Sequence, residues 1–306
     1  MPVGSFGGVE GGSTSSIYRS AEAEASVLEA YRSILDRWSV AYSHTDVPTR
    51  YGSVHVLISG PDDGPAVLLF HAASMSATSW APNVGALVEA GLRIFAMDHI
   101  GEAGMSVLDS VDSFPKTPEQ IGGLYTEVAD ALGVGSAFTI GASAGGHAAM
   151  RFALSNPGRV RASVLLGPMG IRPLGPRAVW KMMMASMFPS DGRIERTAKW
   201  ALGESPAVAD PYGSWFATVL GAVSSPPRVG RPVALTREEL GSLGMPVLLV
   251  LGDQDNLVGN ARRAAHRARS IRDLRVEVLP SSHLIGVEQA DAANRLITGF
   301  LTDKEV

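Results

Sequence analysis

Ala137-Phe-Thr-Ile-Gly-Ala-Ser-Ala-Gly-Gly146 is the stretch on which the reading of this chain turns. Its first residues, 137–140, form a short apolar run of strand character. Gly141-Ala142-Ser143-Ala144-Gly145 ends that run, and a helix-like pattern over 144–156 follows at once. A serine with glycine two before and two after it, between a strand and a helix, is the setting of a nucleophile elbow. Small residues let the backbone turn sharply and lift the Ser143 hydroxyl above the sheet edge, at a helix N-terminus that favours negative charge. The plainer alternative is a Gly- and Ala-rich turn of the kind many α/β proteins carry, so the rest of the chain has to decide.

Working outward, apolar residues recur with helical spacing over 22–38, placing Val27, Leu28, Tyr31, Ile34, Leu35 and Trp38 on one face. Residues 54–59 read as a strand bounded by Gly52 and the turn Gly60-Pro-Asp-Asp-Gly64. Strands are also expected over 67–70, 92–97, 162–166, 247–251 and 276–279. Helices are expected to begin near Pro82 and after Thr117, where Gln120 completes a capping box, and to close the chain over 287–301. Apolar strands alternating with helices predict an α/β fold with a mostly parallel sheet covered on both faces. One segment breaks the alternation. Residues 168–244 carry helix-like pieces rich in Met and Trp, punctuated by prolines, and are expected to form a helical cap inserted after the sixth strand. The expected organisation is a flexible segment over 1–16, a core over 17–167 and 245–306, and the cap over 168–244.

Composition narrows the function. The 306 residues are 45% hydrophobic, enough for a large core, and only 18% charged. A net charge of −4 without a basic block argues against a nucleic-acid partner. The absence of cysteine excludes disulfides, thiolate catalysis and cysteine-ligated metal. No secretory signal pattern and no run long enough to span a bilayer are visible, so a cytoplasmic protein without a membrane span is the expectation.

A serine hydroxyl is a poor nucleophile until a base accepts its proton, and that base needs an acid to hold its tautomer. The chain offers both after the elbow. His283 sits in Pro280-Ser-Ser-His-Leu284, between a strand and the final helix, on a loop where ligands gather in open α/β folds. The acid comes from Leu251-Gly-Asp-Gln-Asp-Asn256, which offers both Asp253 and Asp255.

With these residues in order, the chain resembles the α/β-hydrolase superfamily from about Val54 to its last helix, and in particular bacterial carboxylesterase-like and haloperoxidase-like serine hydrolases. Phe70-His-Ala-Ala-Ser74, with Trp80 beyond it, resembles the family's His-Gly oxyanion loop. Asp98-His-Ile-Gly-Glu-Ala-Gly-Met-Ser106 matches its Asp-x-x-Gly-x-x-Gly-x-Ser loop, Gly252-Asp-Gln-Asp255 its acid loop, and His283 with Glu288 its C-terminal histidine segment. The resemblance implies Ser143 as nucleophile, His283 as proton shuttle and Asp255 as the acid, with Asp253 shaping the turn. It also implies an oxyanion hole from the backbone N–H groups of Ala73 and Ala144. Ala72 stands where the family usually has glycine, Ala144 where Met or Leu is frequent, and Ile100-Gly101 where Pro-Gly is usual.

The expected reaction is hydrolysis of a carboxylic ester, lactone or thioester with an apolar portion, through an acyl-enzyme on Ser143. C–C bond hydrolysis, perhydrolysis, biosynthetic cyclisation, or a ligand receptor with a hydrolase fold are the alternatives. A small hydrophobic substrate would be met by Ala72, Trp80, Met183, Met187 and Trp215, the methionines forming a pliable apolar roof. His71 is expected to be structural and His147 packed or hydrogen-bonded, while His99 lies near the expected pocket. His44, His55 and His266 lack acidic or histidine partners at ligand spacing, so no metal is expected, and no Gly-rich fingerprint calls for a nucleotide cofactor.

Overall fold

The structure, a computed structural model, describes residues 17–188, 190–224 and 233–303. The expected flexible segment 1–16 therefore lies outside the described residues. Among the described residues nine strands form one sheet: β1 (Tyr42–Thr49), β2 (Gly52–Ser59), β3 (Ala66–Phe70), β4 (Arg93–Met97), β5 (Val107–Leu108), β6 (Ala137–Ala142), β7 (Val160–Leu166), β8 (Val247–Gly252) and β9 (Leu274–Leu279). Their spatial order is β1-β2-β4-β3-β6-β7-β8-β9, with β5 paired to β2. Every pair from β4 to β9 along that order is parallel, and β2 runs antiparallel to β1, β4 and β5.

The alternation of side chains along each strand divides the core in two. Val67 and Leu69 of β3, Ile94 and Ala96 of β4, and Leu248 and Val250 of β8 face one apolar layer. Leu68 and Phe70, Phe95 and Met97, and Leu249 and Leu251 face the other. On the first face pack α1 (Ala21–Leu35), α2 (Ala81–Glu89) and the C-terminal helix Ala290–Thr302. On the second pack α3 (Pro118–Ala131) and α4 (Ala144–Ser155). Because both faces are covered, the central strands are apolar at nearly every position, which is why their sequences read as runs.

Two strands were not expected. β1 reads Tyr-Ser-His-Thr-Asp-Val-Pro-Thr and buries only Val47, so it offers no apolar signal; it is held as an edge strand by pairing with β2 over its full length. β5 has two residues, too short for a periodicity. With both counted, the helical insertion follows the seventh strand in chain order. It contains α5 (Pro176–Met187), α6 (Asp191–Leu202) and the helix Ser214–Ala222. The chain start ties this insertion down: Arg19 N–H donates to Ala222 O at 2.9 Å, Ser224 N–H to Ile17 O at 2.8 Å, and Tyr31 packs edge-on against Trp215 at 6.2 Å. Among the described residues no helix is long and apolar enough to cross a membrane.

Candidate active site

Ser143 occupies the single residue between β6 and α4, with φ 51° and ψ −117°, a conformation that side chains rarely adopt. Its neighbours explain how the chain tolerates that geometry. A Cβ at Gly145 would lie 2.0 Å from Phe70 O, and one at Gly141 would lie 2.5 Å from Gly145 O, so only glycine fits either place. The Ser143 N–H donates to Leu166 O at 3.0 Å, and its carbonyl accepts from the N–H groups of Gly146 and Met169 at 3.0 and 2.9 Å. The elbow is thus fixed by backbone bonds to the end of β7, to the loop that follows it and to the first turn of α4.

The turn after β8 separates the two candidate acids. Asp253 is exposed, whereas Asp255 is 5% exposed and turns inward. Asp255 Oδ2 accepts from His283 Nδ1 at 2.7 Å, and Oδ1 accepts from the N–H groups of Leu257 and Val258 at 2.8 and 2.9 Å. Burial raises the Asp255 pKa, but His283 and these hydrogen bonds outweigh it and hold the carboxyl below its ordinary value. An ionised carboxylate has no proton to give, so the proton between the two residues sits on His283 Nδ1, and in the neutral imidazole Nε2 is the nitrogen with the free lone pair. That Nε2 is buried and has no hydrogen-bond partner among the described residues. Gly167, at φ 49°, passes close behind the pair: a Cβ there would lie 3.2 Å from Asp255 Oδ2.

The His283 loop is braced from below. Glu288 Oε2 accepts from Ser282 N–H at 2.6 Å and from Ser281 Oγ at 3.0 Å, while Ser282 Oγ reaches Leu202 O at the end of α6. Burial pushes the Glu288 carboxyl up, and the serine hydrogen bonds more than reverse this, leaving it below its ordinary value.

The loop after β3 is locked by a chain of buried rings. Tyr125 OH meets His99 Nδ1, His99 Nε2 meets His71 O at 2.9 Å, His71 Nε2 accepts from His99 N–H at 2.9 Å, and His71 Nδ1 meets Ala72 O at 2.8 Å. Each imidazole has one donor and one acceptor role here, so both rings are neutral. Burial drives the His71 pKa well below its ordinary value and the His99 pKa down to about 4. His99 is therefore a structural group, at 1% exposure, and not a surface of the pocket. Ser74, at φ 60°, is clamped from two sides: its N–H donates to Glu102 Oε2 at 2.6 Å, and its carbonyl accepts from Trp215 Nε1 at 2.8 Å. The N–H groups of Ala73 and Ala144 make no hydrogen bond among the described residues.

Ser143 and His283 line one cavity together with Ala72, Met75, Trp80, Leu166 and residues 284–287, with Ser79 and Asn83 as its further polar members. Of the residues expected to meet substrate, Ala72 and Trp80 lie on this wall. Met183 and Met187 do not: they are 46% and 62% exposed on the outer face of α5. Trp215 is 1% exposed and acts one layer back, through Ser74. A methionine-rich helix can turn its flexible side chains either way, and only packing against the body decides which.

Two further differences concern polar groups. His55 has an acidic partner after all, Asp46 Oδ1 at 2.7 Å, because the unexpected β1 sets Asp46 directly opposite His55. Glu102 and Asn83 were passed over in the sequence. Glu102 is a carboxylate in the loop after β4, between Gly101 and Ala103, and only its 3% exposure distinguishes it from a surface residue. Burial raises its pKa to about 8. His147 packs within α4 at 2% exposure and accepts from Arg151 Nε at 3.3 Å. Among the described residues, no group of His, Asp and Glu is placed to hold a metal ion.

Comparison with known proteins agrees with this architecture. Residues 67–296 match the model of the alpha/beta hydrolase family. An uncharacterized carboxylesterase, nap, of Bacillus subtilis (strain 168) is 30% identical over 279 residues, covering 89% of this chain and 91% of its own. The carboxylesterase YbfK of the same organism is 26% identical over 282 residues, covering 89% and 92%. Among solved structures, naproxen esterase (carboxylesterase NP) from Bacillus subtilis superposes with a TM-score of 0.84 at 26% identity, covering 92% of this chain and 99% of that one.

Proposed function

The chain belongs to the alpha/beta hydrolase family, and we propose that it is a serine hydrolase cleaving a carboxylic ester, lactone or thioester with an apolar portion. The observation that carries this reading is His283: Asp255 holds its Nδ1 proton at 2.7 Å, and its free Nε2 belongs to the cavity that Ser143 also lines. The long-range likeness to carboxylesterases supports the choice of an ester bond.

In this mechanism Ser143 Oγ attacks the carbonyl carbon while His283 Nε2 takes its proton. The carbonyl oxygen becomes an oxyanion facing the Ala73 and Ala144 N–H groups, both free to donate and the second at the N-terminus of α4. Asp255 stabilises the imidazolium that forms. Collapse expels the leaving group, which receives the proton from His283, and leaves an acyl-enzyme on Ser143. Water then gives a proton to Nε2, attacks the acyl carbon, and Ser143 is regenerated. The apolar wall of Met75, Trp80, Leu166, Leu284 and Val287 suits a small hydrophobic acyl or alkyl group. The helices within 168–244 serve as the cap, joined to the loop after β3 by the bond from Trp215 Nε1 to Ser74 O.

Intact-protein mass after exposure to a fluorophosphonate probe tests the assignment on wild type, Ser143→Ala and His283→Ala. One adduct on wild type and none on either variant is the expected result. Undiminished labelling of Ser143→Ala would put the reactive group elsewhere.

A further inference from the structure

Two of the side chains that line the cavity, besides His283, carry a buried polar atom without a partner among the described residues. Trp80 Nε1 is a buried donor and Asn83 Oδ1 a buried acceptor, and neither has a hydrogen-bond partner among the described residues. Both side chains line the cavity, at 3% and 1% exposure. The Asn83 orientation is not ambiguous. Its Nδ2 donates to Gly286 O at 2.9 Å and to Asn294 Oδ1 at 2.8 Å, and a carbonyl oxygen accepts only from the amide nitrogen. The orphan is therefore the acceptor oxygen. Asn83 is also held by three elements at once, α2 itself, Gly286 O and the C-terminal helix, so the oxygen cannot swing away to find another partner. Gly286 stands beside it: a Cβ there would lie 3.3 Å from Asn83 Oδ1 and 3.4 Å from Leu166 Cδ1.

Buried polar groups are nearly always satisfied, and each one left unsatisfied calls for an explanation. Trp80 is the residue before α2, Asn83 is the helix's third residue, and both side chains line the cavity. We propose that Trp80 Nε1 and Asn83 Oδ1 form a polar subsite that selects esters bearing a hydroxyl group on the portion lodged in this cavity. A hydroxyl is the small group that accepts from the indole N–H and donates to the amide oxygen at once. An alkyl chain does neither, and a ketone only the first. The inference rests on the serine-hydrolase reading for the word ester; the subsite itself rests on the orphaned atoms.

Binding separates the two. Ethyl hexanoate, its 2-, 3-, 5- and 6-hydroxy derivatives and 2-hydroxyethyl hexanoate are titrated calorimetrically into Ser143→Ala, which removes turnover. At least one hydroxylated ester should bind on the order of 10-fold more tightly than ethyl hexanoate, the gain of about one satisfied hydrogen bond. Adding Trp80→Phe should bring the ratio to near unity. If that variant does not fold, benzothienylalanine at position 80 keeps the bicyclic shape and removes only the N–H. Equal binding of all six esters, or a preference that survives loss of the N–H, overturns the subsite. Turnover of the same esters by wild type tests the reaction separately: a binding preference without hydrolysis would sink the hydrolase reading and leave the subsite standing.

Discussion

Asp255 and His283 stand 28 residues apart in the chain and 2.7 Å apart in space, with side-chain exposures of 1% and 2%. Because Asp255 Oδ1 is already committed to two backbone N–H groups, only Oδ2 faces the imidazole. In Asp255→Asn the amide oxygen would stay with the backbone donors and the NH₂ group would face Nδ1. The histidine would then carry its proton on Nε2, where it cannot accept one from Ser143. We expect kcat to fall about 10³–10⁴-fold with KM nearly unchanged. A loss below 10-fold in steady-state kinetics would show that the tautomer is not set by Asp255.

The backbone at Ser143 predicts a conflict between stability and activity. Its φ of 51° and ψ of −117° suit glycine better than any residue with a Cβ. Ser143→Gly should be more stable than Ser143→Ala by about 1 kcal/mol, after allowing for the greater freedom of glycine in the unfolded chain. Both variants should be inactive. Guanidinium melts with equal midpoints for the two would show that the elbow stores no such strain.

Glu102 predicts a pH dependence of stability. Burial lifts its pKa from 4.5 to about 8, against the opposing pull of the Ser74 N–H. Between those values the folded protein keeps a proton that the unfolded chain has lost, so this group's contribution to stability is full in acid and falls as the pH rises toward 8. Glutamine is neutral throughout. Glu102→Gln should flatten the Tm profile between pH 5 and 8 and exceed wild type at pH 8 by about 2–8 °C. Parallel profiles for the two proteins would remove Glu102 as the titrating group.

Gly286 sets the width of the cavity. A methyl group there would press on Asn83 Oδ1 and Leu166 Cδ1, both of them on its wall. Gly286→Ala should lower kcat/KM for long or branched acyl esters by roughly 10-fold or more, while a short acetate ester changes by less than about 3-fold. A uniform loss across chain lengths would indicate displacement of the His283 loop and not a narrowed cavity.

The order strand, Ser143, helix, then Asp255, then His283 was legible in the residues because each local signal is contiguous. Apolar runs mark strands buried on both faces, Gly141 and Gly145 mark a turn that no larger residue fits, and Thr117 with Gln120 marks a helix start that the structure repeats as a capping box. The choice of Asp255 over Asp253 came from the resemblance to the family's Gly-x-x-Asp loop and not from a contiguous local signal. The two acids differ by a single intervening residue, and only the fold of the β8 turn sends one outward and the other to His283.

Sequence by itself thus determined the class of fold, the turn that presents Ser143 and the residues able to supply a base and an acid. Periodicity and turn chemistry are local properties, and they survive without knowledge of what packs where. Tertiary structure alone decided that Met183 and Met187 face outward, that His71 and His99 are sealed as neutral rings, and that Trp80 and Asn83 each keep a buried polar atom without a partner among the described residues. Burial and hydrogen-bond satisfaction are set by elements distant in the chain, here the sheet order, the C-terminal helix and the helical insertion. A residue's type states what it can bond; only its neighbours in space determine whether that bond has been made.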